Sequence, residues 1–145
     1  MVRGFSLIEL AFVLCIIALL SAVGLPRLQP FLDRIATERA TLEITTALAV
    51  AREGAIAQST RARLIIDADT LKVDRLKIGT SQEWEPWRRT PGPRQHRVEL
   101  AVSNPEVVFG PTGLGYAAAN TKVVLRRGSH VETITVSRLG RVKRW

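Results

Sequence analysis

Two stretches of the sequence place tryptophan beside arginine, a combination whose chemistry suits nucleic acid. The first stretch is rich in proline, is expected to be a loop, and holds two tryptophans and four arginines: Trp84, Trp87, Arg88, Arg89, Arg94 and Arg97. The second stretch ends the sequence with four basic residues and a tryptophan: Arg138, Arg141, Lys143, Arg144 and Trp145. Arginine pairs with phosphate, and an exposed indole stacks on an unpaired base. The alternative is that both stretches contact anionic lipid headgroups or neighbouring protein subunits.

Glu9 is a further residue of chemical interest, because it stands inside an apolar segment. Residues 10–26 carry no charge, and as a helix these 17 residues span roughly 25 Å, the lower edge of what a bilayer core requires. A carboxylate in such a segment costs several kcal/mol unless it finds a partner, so Glu9 is a candidate functional residue. Arg3 and Gly4 precede the apolar run and no small-residue cleavage site follows it, which does not fit a secretory signal peptide.

Composition argues against most enzymatic sites. The single cysteine, Cys15, excludes an intramolecular disulfide framework, and two histidines, His96 and His130, leave little for zinc or for histidine-based catalysis. The three aspartates at 67, 69 and 74 lack the spacing of a calcium loop, and 113–115 lacks the context of a dinucleotide fingerprint. We therefore expect a protein that is not an enzyme and that holds no metal or cofactor.

The net charge of +8 is placed unevenly along the 145 residues. Residues 1–83 hold 10 basic and 9 acidic residues, whereas residues 84–145 hold 11 basic and 4 acidic ones. Such asymmetry favours a polyanion or a membrane surface as partner, the alternative being a solubilising face.

The elements that must position these residues are one long helix followed by strands. No glycine or proline interrupts residues 31–53, so we expect a helix from about residue 6 to about 60, kinked near Pro26. Its soluble half is expected to bury Phe31, Ile35, Leu42 and Leu48. Six alternating runs then predict antiparallel strands at 63–66, 71–76, 98–102, 107–109, 122–126 and 131–136. A helix followed by strands indicates an α+β domain.

Residues Gly4 to Leu10 (GFSLIEL) resemble the processing motif of type IV prepilins and type II secretion pseudopilins. The resemblance implies that a prepilin peptidase cuts between Gly4 and Phe5, that Phe5 becomes the N-methylated terminus, and that Glu9 is the glutamate of the family. The new ammonium at Phe5 would be costly in apolar surroundings, and Glu9 of the same or an adjacent subunit can pair with it.

A second resemblance lies in the C-terminal half. Phe109–Gly113 (FGPTG) and residues 136–142 (VSRLGRV) are similar to the GspH/FimT branch of pseudopilins. That branch implies a pilin-like fold in which a closing strand ends in a Gly-Arg element. FimT-like proteins that bind DNA are thought to use an arginine-bearing C-terminal element, whose basic character Arg141, Lys143 and Arg144 match, although Lys143 departs from a strict arginine pattern.

Together these features predict three segments: a leader at 1–4, a transmembrane and filament-core helix at 5–30, and a periplasmic α+β pilin-like domain at 31–145. The expected function is that of a minor subunit of a type II secretion pseudopilus or a type IV pilus. The alternative is a FimT-like DNA-binding minor pilin for natural transformation. The expected partners are prepilin peptidase, other pilins or pseudopilins, the inner membrane and, in the alternative, DNA.

Overall fold

The computed structural model describes residues 6–80, 82–116 and 120–145, and it confirms the α+β fold. Helix α1 is Leu7–Ala57, and eight strands follow it: β1 Ala62–Ile66, β2 Thr70–Leu76, β3 Trp84–Pro91, β4 Glu99–Val102, β5 Glu106–Phe109, β6 Thr121–Arg127, β7 His130–Val136 and β8 Val142–Arg144. A short 3-10 helix, Pro93–His96, lies between β3 and β4. The chain divides into two units, Met1–Leu32 and Asp33–Trp145.

The second unit contains two antiparallel sheets of four strands. The first sheet has the order β3-β2-β1-β5 and the second the order β4-β6-β7-β8. The six predicted strands correspond to β1, β2, β4, β5, β6 and β7. The sequence did not predict β3, expected to be a loop, and its pattern of apolar residues did not locate β8.

One face of α1 and one face of each sheet form a single core. The helix contributes mostly small residues to it, at intervals of three and four: Ala36, Ala40, Ile44, Ala47, Leu48, Ala51 and Ala55. The sheets contribute branched residues, with Leu64 and Val73 from one sheet and Val123 and Ile134 from the other. Five of these seven helical residues are alanines.

The predicted buried face of the helix was partly wrong. Leu48 is buried, but Leu42 and Phe31 are each 60% exposed, and Ile35 is half-buried. The sequence pattern favoured the large apolar residues, whereas the buried positions of the helix are mostly alanines.

The beginning of the second unit is fixed by a largely buried ion pair. Arg127 Nε lies 3.0 Å from Asp33 Oδ1, and Arg127 Nη1 also donates to the His96 carbonyl at 2.6 Å. Arg127 ends β6 at the two-residue turn Gly128-Ser129, where Gly128 has a φ of 55°. The pair thus ties the part of α1 that begins the second unit to the β6–β7 hairpin.

Candidate interaction surfaces

The N-terminal candidate residues lie at the start of α1. Gly4 and Phe5 lie outside the described residues. Glu9 is exposed in the first helical turn, and its backbone N–H donates to the Ser6 carbonyl at 3.0 Å. A carboxylate in the first turn is favoured by the positive end of the helix dipole.

The apolar side chains around Glu9 are exposed on all sides of the helix. Leu7 is 85% exposed, Ile8 78% and Phe12 69%, and residues 10–22 remain exposed throughout. No single helix among the described residues is long and apolar enough to cross a membrane. The two helical stretches Leu7–Ala22 and Arg27–Ala57 reach the length and apolar composition of a membrane span only when they are taken together. The bend between them falls at the residues that include Pro26.

The residues expected to form a tryptophan-rich loop instead form the edge strand β3. This strand pairs with β2, and its register shifts between Val73 and Asp74, so that Arg88 lies opposite Val73 and Pro86 opposite Asp74. Trp87 is therefore the extra residue of a β-bulge. Pro86 is tolerated because an edge strand leaves one row of backbone groups unpaired.

The two tryptophans of β3 are held by protein contacts. Arg63 stacks over the Trp84 ring, 4.4 Å from its centroid, and is itself paired with Asp74 at 3.0 Å. Trp87 packs on α1 at Gly54, where the methyl group of an alanine would overlap the indole atoms Cζ3 and Cη2. Both rings therefore contribute to packing of the first sheet.

The strand separates the two neighbouring arginines. Arg88 is opposite the buried Val73 and faces α1, where it lines a groove of about 300 Å³ with Leu42 and Val50. Arg89 is opposite Lys72 and faces outward from the sheet. Both side chains are exposed, but on opposite faces.

The C-terminal basic residues are also divided between faces. Arg141 precedes β8 and lines a groove of about 710 Å³ against α1, which includes Arg52 and Glu53. Lys143 is opposite Thr135 and faces outward, whereas Arg144 is opposite the buried Ile134, with its guanidinium 3.6 Å from Glu132. Arg138 is exposed in the turn between β7 and β8.

The structure does not bring the two basic stretches together. The groove beside Arg88 is lined from α1 by residues 42, 43, 46, 47 and 50, and the groove beside Arg141 by residues 45, 48, 49, 52, 53 and 56. At 100° per residue these two sets lie on different flanks of the helix, on either side of the buried face.

The motifs that resembled the GspH/FimT branch meet at one junction. Arg52 Nε donates to the Gly113 carbonyl at 3.0 Å, and Phe109 is fully buried beside it. Gly140 has a φ of 71°, and a Cβ there would lie 2.6 Å from the Gly113 oxygen. The glycines at 113 and 140 are thus required by close packing of two turns against the helix.

Among the described residues, no group of three or more histidine, cysteine, aspartate or glutamate side chains is placed to hold a metal ion. The two grooves that flank α1 are lined by neither histidine nor cysteine.

A long N-terminal helix packed on antiparallel sheets defines a pilin-like protein. Residues 40–140 match the family model described as type II transport protein GspH, so the chain belongs to the GspH family. This confirms the resemblance seen at Phe109–Gly113 and residues 136–142. The family is one of structural pilins and pseudopilins, whose members assemble with one another at the membrane.

Solved structures share the fold at low sequence identity. The type IV minor pilin FimU of Pseudomonas aeruginosa strain PAO1 aligns with a TM-score of 0.62 and 18% identity over 76% of this chain and 88% of FimU. The minor pseudopilin EpsH of the Vibrio cholerae type 2 secretion system aligns with a TM-score of 0.60 and 13% identity over 75% of this chain and 95% of EpsH. No curated protein sequence matches the chain.

Proposed function

We propose that the chain is a minor subunit of a type II secretion pseudopilus or a type IV pilus, matured by prepilin peptidase. Residues 1–4 are the leader, residues 5–30 anchor the subunit in the inner membrane and later line the filament core, and residues 31–145 are the periplasmic domain. Cleavage after Gly4 makes Phe5 the N-methylated terminus. Membership of the GspH family supports the filament role.

The observation that carries this proposal is the exposed Glu9 within an apolar helical surface. The exposed leucines and isoleucines of residues 7–20, together with Phe12, need an apolar environment, which a bilayer and then a filament core supply in turn. In either environment the ammonium of a mature Phe5 has Glu9, four residues away, as an opposite charge. Pairing between subunits fixes their axial register, because an unpaired buried charge costs about 3–5 kcal/mol.

Glu9→Val tests this role because it removes the charge without weakening membrane insertion. Full-length variants are expressed in the native host, and sheared filaments and membranes are analysed separately by immunoblotting. We expect the variant in membranes at wild-type amount and nearly absent from filaments. Glu9→Gln, which keeps the shape, should behave like Glu9→Val, whereas the neighbouring control Ile8→Val should assemble normally. Equal recovery of Glu9→Val in filaments would contradict an assembly role.

The second candidate function is DNA binding by a FimT-like minor pilin. The specific observation in its favour is the exposure of Arg138, Arg141, Lys143 and Arg144, in the half of the chain that holds nearly all the excess positive charge. The β3 residues Trp84, Trp87, Arg88 and Arg89 support it less, because both indoles are engaged in packing.

Fluorescence anisotropy with a labelled duplex measures this function directly. The full chain, reconstituted in nanodiscs of zwitterionic lipid, should bind weakly and more weakly as salt rises, because phosphate contacts release counterions. Changing Arg141, Lys143 and Arg144 together to alanine should remove most of the binding, and Arg88→Ala with Arg89→Ala should remove little. Absence of wild-type binding at low salt would eliminate DNA as a partner.

A further inference from the structure

The outward face of the second sheet has a composition unlike the rest of the domain. Strand alternation and register place three cations on it, Lys122 and Arg126 from β6 and Lys143 from β8. One outward residue is acidic, Glu99, which lies opposite Arg126. The remaining outward residues are small or apolar: Ala101, Val124, Val131, Thr133 and Thr135. We call this surface, together with Trp145, the outer face.

Trp145 extends β8 onto this outer face. Its backbone N–H donates to the Thr133 carbonyl at 2.9 Å, and its carbonyl accepts from the Thr133 N–H at 3.3 Å. The indole Nε1 donates to Thr135 Oγ1 at 3.4 Å, and Lys143 Nζ lies 3.5 Å from the ring centroid. The ring is therefore anchored to the sheet while 68% of the residue remains exposed. Trp87 differs from Trp145 because its ring packs on the helix at Gly54 and is less exposed.

Among the described residues the three cations lack acidic partners, and Lys143 is the one that contacts the Trp145 ring. In the described part of the chain, no carboxylate lies within ion-pair distance of Lys122, Arg126 or Lys143, although ten other ion pairs occur there. Lys122 and Lys143 lie opposite Thr135 from its two sides, about 10 Å apart. Arg126 lies four residues along β6 from Lys122, about 14 Å away.

We propose that the outer face binds single-stranded DNA, with Trp145 stacking on an unpaired base and Lys122, Arg126 and Lys143 contacting phosphates on either side. The charge is complementary to a polyanion, and the exposed ring selects the single strand because paired bases in a duplex present no free face for stacking. This inference rests on the second candidate function above. It places the DNA contact on the outer face of the second sheet. Of the three residues changed in the C-terminal triple variant, only Lys143 belongs to that face.

The test compares a labelled oligothymidine of about a dozen nucleotides with a duplex of equal length. The full chain in zwitterionic nanodiscs is titrated by fluorescence anisotropy between about 50 and 200 mM salt. Trp145→Ala should weaken single-strand binding about tenfold with the salt dependence unchanged, and Trp145→Phe should restore most of the affinity. Lys122→Ala with Arg126→Ala should reduce the slope of log K against log salt by about 0.7 for each cation removed. Arg89→Ala, an exposed arginine on the other sheet, is the matched control and should change neither.

Four results would overturn the proposal. If Arg141→Ala or Arg144→Ala abolishes binding while the outer-face variants retain it, DNA binding stands but not on this surface. If the duplex binds as tightly as the single strand with the same residue dependence, stacking plays no part. If phosphatidylserine vesicles bind through these residues and the oligonucleotide does not, the surface recognises lipid. If no oligonucleotide binds at low salt, the second candidate function fails as well. The outer-face side chains are exposed, so circular dichroism should show each variant folded.

Discussion

Trp87 lies within a sequence stretch that resembles a nucleic-acid contact, yet its contact with Gly54 predicts a structural role. The residue is 41% exposed, so more than half of its surface is buried. An enclosed aromatic side chain buries about 150–250 Å², so Trp87 buries roughly 90–150 Å² here, which is worth about 2–4 kcal/mol at about 25 cal/mol per Å². Trp87→Ala should therefore lower the free energy of unfolding by about 2–4 kcal/mol without changing DNA affinity.

A double-mutant cycle of Trp87 with Gly54 measures their contact directly. Replacing a helical glycine by alanine normally adds about 1 kcal/mol of stability. Here the new methyl group would overlap the indole, so Gly54→Ala should destabilise the wild-type protein by about 1–2 kcal/mol as Trp87 is displaced. In the Trp87→Ala background the overlap is gone, and the same substitution should become stabilising by up to about 1 kcal/mol.

Urea unfolding followed by circular dichroism measures all four corners of this cycle. The fragment 33–145 is suitable because it contains every buried hydrophobic residue of the described chain. Trp145→Ala is the matched control and should cost less than about 0.5 kcal/mol, since that ring is largely exposed. If Gly54→Ala stabilises both backgrounds equally, the indole does not pack on this glycine and the structural role fails.

Three further changes test other parts of the molecule. Gly4→Ala should block maturation because it places a side chain beside the scissile bond. Intact-mass analysis of membranes would show the leader retained, and a leader on the mature wild-type protein would contradict the idea. Asp33→Ala should cost about 2–3 kcal/mol in urea unfolding, because it leaves the partly buried Arg127 unpaired. Gly140→Ala should lower the free energy of unfolding by more than Gly79→Ala does. Both glycines have a positive φ, but only a methyl group at position 140 would also meet a carbonyl oxygen, that of Gly113. Equal losses of stability would argue against the packed junction.

Alternation and turn residues in the sequence predicted most of the fold. Six strands are predicted correctly because apolar and polar residues alternate there with period two. Strand β3 was missed because every residue from Glu85 to Arg89 is exposed, so the segment has no apolar face to alternate. Its pairing with β2 depends on tertiary contacts, including the bulge that places Trp87 on Gly54.

The helix shows a different limit of sequence interpretation. Its buried face consists mainly of alanines, whose weak hydrophobicity gives little signal, while the large Leu42 is exposed beside the groove next to Arg88. Gly54 carries no hydrophobic signal at all, yet it is buried beneath an indole. A signal was available in the regular spacing of small residues from Ala36 to Ala55, which is typical of close packing against a helix.

The candidate binding residues illustrate why adjacency in sequence does not define a surface. Arg141, Lys143 and Arg144 are nearly consecutive, but β8 turns Lys143 outward and Arg144 toward Glu132, while Arg141 borders the groove on α1. Side chains along a strand alternate between faces, so a short basic run divides its charge. Cations from neighbouring strands instead share a face, as Lys122 does with Lys143 on either side of Thr135. The unpaired charge of the second sheet therefore lies across its strands, where register rather than sequence order determines the neighbours.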